Sequence, residues 1–471
     1  MATPNTHYGA KRIEEMLRDA KRIFFIGIGG INMSSLALLT HRRGIQTGGS
    51  DRTRTALTER LEREGLSVFY EHKKEHIDGY DAVVYTVAIS PENEEYVRAI
   101  ERGIPLISRA DYLGYLMMEY PRRIGISGMH GKSSCTSMCA QTLLCAGSDP
   151  TVLSGAELAA MGGAYCLGRS ENFVFEACEY MDSFLDFNPN IAVILNIEMD
   201  HVDYFHSMEQ IRASFACYAA KTGKDGFAVV NGDDGEIAMA LSDYEGTVIR
   251  FGMENQESDY FATNLSCEHG RWSFDLVERG KTLCRIRLGV VGRHQIYNAL
   301  ATAAVSRLCG LTGEQIADGL LSFAGAKRRM ERKGTLWGAE LYDDYGHHPT
   351  EIRATLSGAR GIPAQGGRLF CVYQPHTYSR TAALLDEFTT AFGDADRVLF
   401  VDIYAARETD TLGVSSALLA KRVGTRASYA GSVERAAEML QSELREGDAV
   451  IVMGAGNIDR IFKVLEKDIK E

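Results

Sequence analysis

The chain has no C-x-x-C pair, although it carries ten cysteines in 471 residues. That absence excludes zinc-ribbon spacing. The thiols, at positions 135, 139, 145, 166, 178, 217, 267, 284, 309 and 371, fall mostly in apolar stretches. Buried free thiols in a reducing cytosol are expected, not a disulfide framework. No apolar run approaches the roughly 18–20 residues that cross a bilayer, and the polar start, Met1 to Arg22, lacks the apolar core of a signal peptide. A cytoplasmic protein with no membrane partner is expected. Positive charge is also in short supply. With 51 Lys and Arg against 63 Asp and Glu, the net charge is −12, which argues against broad binding to nucleic acid or anionic lipid. Only a local basic pocket for a small anion is left open. Proline is scarce, 9 beside 47 glycines, a balance that suits tight strand-to-helix turns. Tandem repeats and low-complexity tracts are missing, so solenoids and disordered arrays are excluded.

What is present is ordinary globular composition, 45% hydrophobic and 24% charged. At ~100–200 residues per domain the length suggests three domains. The first segment, 1–121, opens with the strand-like Arg22-Ile-Phe-Phe-Ile26, a glycine turn, and a helical pattern from Met33. The second, 122–333, restarts with Arg123-Ile-Gly-Ile126, a polar loop and a helix, and predicts an antiparallel patch from about Thr247 to Leu288. The third, 334–471, holds four further strand-like runs that end in polar or glycine-rich sequence. Strands alternating with helices predict parallel α/β sheets in all three. The breaks near Pro121 and Lys333 are the expected hinges.

Chemistry-bearing residues gather where those strands end. In the first turn, Gly27-Ile-Gly29-Gly30-Ile-Asn-Met33-Ser34 departs from G-x-G-x-x-G at Asn32. It can still bring backbone N–H groups and a helix N-terminus to a diphosphate, with NAD as a competing ligand and an unliganded turn as the plain alternative. Asp51 closes the second strand. In the second turn, Gly128-Met129-His130-Gly131-Lys132-Ser133-Ser134 lacks the first glycine of a strict P-loop, because Gly125 lies one residue too early. Lys132 can still neutralise phosphate oxygens and Ser133 can ligate Mg²⁺, while His130 either touches phosphate or packs. Two later strand ends offer Glu176 and His201 to that metal; on chemistry alone His201 is as well read as a structural histidine. Glu179, Asp182, Asp200 and Asp203 lie close by in sequence, several of them expected to be solvated. In the third segment, Asp343-Asp344-Tyr345-Gly-His347-His348-Pro-Thr-Glu351 and Gln374-Pro-His376-Thr-Tyr-Ser-Arg380 end strands and start helices. They suit caps, a proton carrier and an anion-binding arginine. Gly454-Ala-Gly456-Asn457 reads only as a close backbone approach.

Taken in order with Asn196-Ile-Glu-Met-Asp-His201 and Gly292-Arg-His-Gln-Ile-Tyr-Asn298, these motifs resemble the ATP-dependent Mur ligases along essentially the whole chain. The resemblance implies a Rossmann-like N-terminal domain for a UDP-sugar, a central P-loop ATPase α/β domain, and a Rossmann-like C-terminal domain that closes and binds an amino acid. It favours UDP over NAD at the first turn. It implies ATP and Mg²⁺ as cofactors, and UDP-N-acetylmuramate and L-alanine as partners, joined through an acyl phosphate; a peptide, glycine or serine acceptor is the neighbouring alternative. A monomer or weak homodimer is expected. The implied catalytic residues are Lys132, Glu176, His347 and His348. ATP would meet Gly128 to Ser134, His294, Asn298, Arg329 and Asp344, and the metal would meet Ser133, Glu176 and His201. The other substrates would meet Gly27, Gly29, Gly30, Met33, Ser34, Asp51, Tyr345, His376 and Arg380. The chain departs from the family at Met129, Ser133 and Ser134, at Cys178 in place of an aspartate, and at Gln295 in place of an asparagine. A carbamylated lysine is not implied, since Lys221 lies too far from His201.

Overall fold

Strands that are buried throughout, such as Ala82–Tyr85 or Ala449–Met453, need cover on both faces and therefore build parallel sheets flanked by helices. The computed structural model describes residues 3–201, 204–406, 408–409 and 412–470. It contains three such sheets in series. The first has five parallel strands in the edge-to-edge order Ser67–Phe69, Gln46–Ser50, Arg22–Ile26, Ala82–Tyr85 and Leu106–Ser108. Strand order reverses at Arg22–Ile26, so the glycine turn that follows sits at the crevice where such sheets bind ligands.

The central sheet has ten strands. At its heart Arg122–Ser127 lies between Asn172–Glu176 and Ile191–Ile194, all parallel. The expected antiparallel patch exists with a different start. Thr247–Gly252 pairs in parallel with Phe227–Asn231 and so belongs to the core sheet. On this side of the sheet antiparallel pairing begins at Tyr260–Glu268, which meets Arg271–Glu278, which in turn meets Lys281–Val291, while at the opposite edge Thr151–Leu158 pairs antiparallel with Gly163–Cys166. Alternating polarity marked the hairpins but could not mark where the pairing direction changes.

The third sheet runs Ala427–Gly431, Arg397–Val401, Leu369–Tyr373, Ala449–Met453, Ala339–Asp344, Glu331–Leu336 and Ile469–Lys470, with the last two antiparallel to their neighbours. The expected boundary at 333/334 therefore cuts a strand, and Lys333 cannot be a hinge. Lys327 N–H still bonds to Glu157 O of the central lobe at 2.9 Å, whereas Tyr345 N–H bonds to Arg328 O at 2.7 Å and the Arg328 side chain reaches Gly454 O at 2.6 Å. The chain changes lobes at Lys327–Arg328, where Arg328 takes the left-handed φ of 57°. One continuous apolar core joins the first sheet to one face of the second, and the third sheet has cores of its own. All ten cysteines are free, but Cys145, Cys217 and Cys267 are exposed rather than buried. Among the described residues no helix is long and apolar enough to cross a membrane.

Candidate active site

The second glycine turn is shaped by its neighbours. Gly125, the glycine that falls too early for a strict P-loop, lies inside the strand, where a Cβ would stand 2.8 Å from the Phe175 ring. Its smallness serves packing and leaves the loop to Gly128 and Gly131, the latter with φ 84° at the N-cap of the helix Lys132–Cys145. Asn196 pins the loop: its Oδ1 accepts from His130 N–H at 2.8 Å, and its amide donates to His130 O at 3.0 Å. Lys132 Nζ donates to Gly128 O (2.6 Å), Met129 O (3.0 Å) and Glu179 Oε1 (3.0 Å). Met129 turns its side chain into the core.

Glu179, grouped with solvated acids on sequence grounds, is instead fully buried between Lys132 and His201, whose Nε2 lies 3.1 Å from Glu179 Oε1. Burial alone would raise this carboxyl, but Lys132 and then His201 hold it below its usual range. Burial would likewise lower Lys132, yet Glu179 keeps it above its ordinary value. Glu176 sits at its strand end with Oε2 accepting from Gly155 N–H at 2.9 Å, and its remaining oxygen makes no hydrogen bond there. Asp200 is also buried and accepts from Arg380 Nη2 at 3.3 Å. Asp182 takes the Tyr204 hydroxyl at 2.5 Å, and Asp203 lies outside the described residues.

A cavity of about 310 Å³ opens beside this loop. It brings together Gly131, Ser134, His294, Asn298, Arg329 and Asp344, residues 130 to 344 in sequence, with His130 at its wall. Arg329 Nη2 also donates to Ser133 Oγ at 3.3 Å. Sequence reasoning missed Asn231 and Tyr297 in the same wall. Asn231 did carry a signal, since Asn231-Gly-Asp-Asp234 is another polar strand end.

Facing it from the third sheet, the two histidines diverge. His347 turns toward His376, with ring centres 5.9 Å apart, and His348 turns toward His130 at 4.8 Å. Burial pushes both down to about 4, so both are neutral near pH 7. His376 stacks on Tyr404 at 5.7 Å and lies 3.4 Å from Arg380 Nη1. Nothing in the sequence flagged Tyr404, which arrives from a loop beyond the next strand. Asp344 accepts from Met330 N–H and Gly346 N–H at 2.9 and 2.8 Å, and burial raises it. Burial likewise raises Asp343, to about 7.

At the first turn, Asp51 Oδ2 accepts from Gly29 N–H at 2.9 Å, and Gly30 caps the helix Ile31–Arg42 without a side-chain bond. Ser34 is already committed: it is fully buried, its Oγ donates to Ile31 O and its N–H to Gly30 O. Met33 is buried in the core. These two support the turn from behind, while Gly27, Gly29 and Asp51 stand at its open end.

Three family models match in the same order as the sheets: "Mur ligase family, catalytic domain" over residues 22–121, "Mur ligase middle domain" over 126–306, and "Mur ligase, glutamate ligase domain" over 328–456. A UDP-N-acetylmuramate–L-alanine ligase of Caldanaerobacter subterraneus subsp. tengcongensis is 44% identical, over 97% of this chain and 98% of its own. The chain belongs to the Mur ligase family. A ligase of the same name from Caldicellulosiruptor saccharolyticus is 40% identical over 94% and 98% of the two chains. Among solved structures, the UDP-N-acetylmuramate-alanine ligase MurC of Thermotoga maritima superposes with a TM-score of 0.78 at 25% identity, over 95% of this chain and 99% of that one. The Mur ligase third-lobe match begins at residue 328, where the chain changes lobes.

Proposed function

We propose that this Mur ligase joins the carboxylate of UDP-N-acetylmuramate to the amine of L-alanine, converting ATP to ADP and phosphate, as a step of peptidoglycan precursor synthesis in the cytoplasm. The observation that carries this reading is the meeting of two strand-end clusters, Lys132 with Glu179 and His201 on one side and Arg380 with His347 and His376 on the other, tied by Arg380–Asp200 at 3.3 Å. One cluster suits a transferring phosphoryl group and the other an amino acid. The 40–44% identity to ligases of that name supports the same assignment.

In this scheme a muramate carboxylate oxygen attacks the γ-phosphorus of ATP, ADP leaves, and an acyl phosphate forms. Lys132 supplies the positive charge for the phosphoryl oxygens, exchanging one of its three present acceptors for them. Ser133 Oγ and Glu176 would offer hard oxygens to Mg²⁺, whereas His201 would have to give up its 3.1 Å contact with Glu179 before its Nε2 could join them. When bound there, that ion would screen the same charge. Arg380, oriented by Asp200, holds the carboxylate of L-alanine, and the alanine nitrogen attacks the acyl carbon through a tetrahedral intermediate that expels phosphate.

The attacking nitrogen must lose a proton, and the hydrogen bonds distinguish the two histidines. His348 Nδ1 accepts from Thr350 N–H at 3.3 Å, so its Nε2 carries the proton in the neutral ring. His347 Nδ1 lies 3.2 Å from Tyr345 O, a bond that needs a proton on Nδ1 and leaves Nε2 as an acceptor. His347 is therefore the better placed of the two to receive that proton, through Nε2.

The test is phosphate release with ATP, Mg²⁺ and UDP-N-acetylmuramate, with no acceptor, L-alanine, glycine, L-serine or a tripeptide, and with product mass recorded. Release with a gain of one alanyl unit is expected with L-alanine. Release only with the tripeptide would move the enzyme to a peptide-recycling role, and no sugar-dependent release would end the assignment.

A further inference from the structure

His130 sits inside the phosphate loop, yet its ring is held from another lobe. Its Nδ1 lies 3.3 Å from Glu351 Oε1, and its Nε2 lies 3.8 Å from Glu198 Oε2. Glu198 belongs to the central lobe and Glu351 to the third. Glu351 is the third residue of the helix Pro349–Ala359, and its other oxygen, Oε2, accepts from His347 N–H at 2.8 Å and His348 N–H at 3.1 Å in a capping box. One carboxylate thus grips the backbone of the two histidines with one oxygen and the phosphate loop with the other.

The same neighbourhood offers a metal reading, because ligand atoms of His130, Glu198 and His348 lie within 4.8 Å of one another. The hydrogen bonds argue against it. His348 uses Nδ1 as the helix cap, so the Nε2 left to the cluster carries a proton and cannot ligate, and His130 already turns Nδ1 to Glu351 at 3.3 Å. Burial alone would lower His130, but Glu198 and Glu351 together raise it to about 10. Burial alone would raise Glu351, but His130 and Arg329 beside it hold the carboxyl below its usual range.

We propose that Glu351 is the positioning residue through which docking of the third lobe presets the phosphate loop for nucleotide, by fixing the His130 ring and its positive charge. The assignment rests on the ligase reading only in taking Gly128 to Ser134 as the nucleotide site. With the third lobe docked, His130 is a fixed cation beside the phosphates. With it undocked, Glu198 alone faces the ring, so affinity for nucleotide and docking of the third lobe reinforce each other.

Glu351→Gln isolates the contact, since glutamine still accepts the two backbone N–H bonds of the capping box while losing the charge toward His130. The probe is ADP with Mg²⁺, titrated directly into the full chain without acceptor, alongside steady-state KM for ATP and for L-alanine. Glu351→Gln should weaken ADP and raise the ATP KM about tenfold, with the L-alanine KM within twofold of wild type. The groups facing His130 are Glu198, Glu351 and His348. Wild-type ADP affinity should be flat from pH 6.5 to 9, and that of Glu351→Gln should fall as pH rises, because His130 then loses its proton in that range. In a His130→Gln background, Glu351→Gln should have no further effect on ADP. Unchanged ADP affinity, an equal change in both KM values, or a full effect that persists without His130 would each overturn the assignment and leave the ligase reading standing. Failure of the wild type to bind ADP would overturn both. Tight ADP coupling in an enzyme that fails the acceptor panel would sustain this inference and reject the acceptor.

Discussion

The central lobe meets its two neighbours in opposite ways. Toward the first lobe the junction is apolar and continuous: Phe25, Tyr112 and Met117 on one side belong to the same buried core as Phe173, Phe184 and Tyr218 on the other. Gly114 is pressed so closely on Asp186 O that a Cβ has no room. Toward the third lobe the junction is mainly polar, with Arg380–Asp200, Thr350–Glu198, His130–Glu351 and Arg329–Ser133 beside a small apolar contact at Val291. An apolar seam gives up its whole burial energy when it opens, whereas polar groups can exchange partners for water. The first junction therefore behaves as a fixed joint and the second as one that can open for substrate and product. The proposed site straddles the second, and in the proposed scheme closure there would assemble the amino-acid cluster and exclude water from a hydrolysable acyl phosphate.

The largest expected effect comes from breaking the polar junction at its buried pair. Arg380→Met removes the anion site and leaves Asp200 buried and unpaired, so kcat/KM for L-alanine should fall by about 4 kcal/mol, near a thousandfold. ADP affinity, measured by titration, should change much less, which separates this contact from His130–Glu351. At the apolar junction, Gly114→Val should cost about 3 kcal/mol of stability by overpacking, read as a lower urea midpoint, with an early transition as the first lobe comes away. A chain that keeps its midpoint would show that the joint is looser than its packing implies.

A smaller effect concerns the segment between lobes. Asp343 lies 3.6 Å from Arg328 Nε, and its raised value means that the folded protein holds a proton the unfolded chain gives up near pH 4. The folded state binds more protons between about 4 and 7, so stability falls as pH rises through that window and is level above it. Asp343→Asn should remove this slope, so its gain in Tm relative to wild type should be larger at pH 7.5 than at pH 4.5. The smallest effect is expected at the exposed rim. Lys327→Ala breaks a half-exposed pair at the foot of the crossover, worth at most about 1 kcal/mol, and turnover should stay within twofold; a larger loss would mean that anchoring the crossover, and not Arg380–Asp200 alone, governs how the third lobe docks.

Much of this arrangement was legible in local sequence. Gly131-Lys132-Ser133 marked the turn between strand and helix, and Arg122–Ser127 with the helix after it announced the parallel unit that carries it. Ser34 looked like part of the first turn because serine at a helix start often meets a ligand, but its hydroxyl is spent on Ile31 O. Glu179 looked like one acid among several, since no local pattern shows that Lys132, 47 residues away, folds back to it. The Lys327–Arg328 crossover was hidden because Gly325, two residues earlier, is one glycine among many and nothing local says that the lobe changes there.

The sequence alone determined the alternation of strands and helices, the three glycine-marked turns and the order of motifs that places the chain among the Mur ligases. These depend on side-chain periodicity and turn chemistry within a few residues, which local physics decides. Only the tertiary structure decided which carboxylate holds Lys132, which histidine keeps a free nitrogen, and how Glu351 reaches His130. Those pairings join residues tens to hundreds of positions apart, and they exist only once the sheets have docked and burial has made each unpaired charge too costly to leave alone.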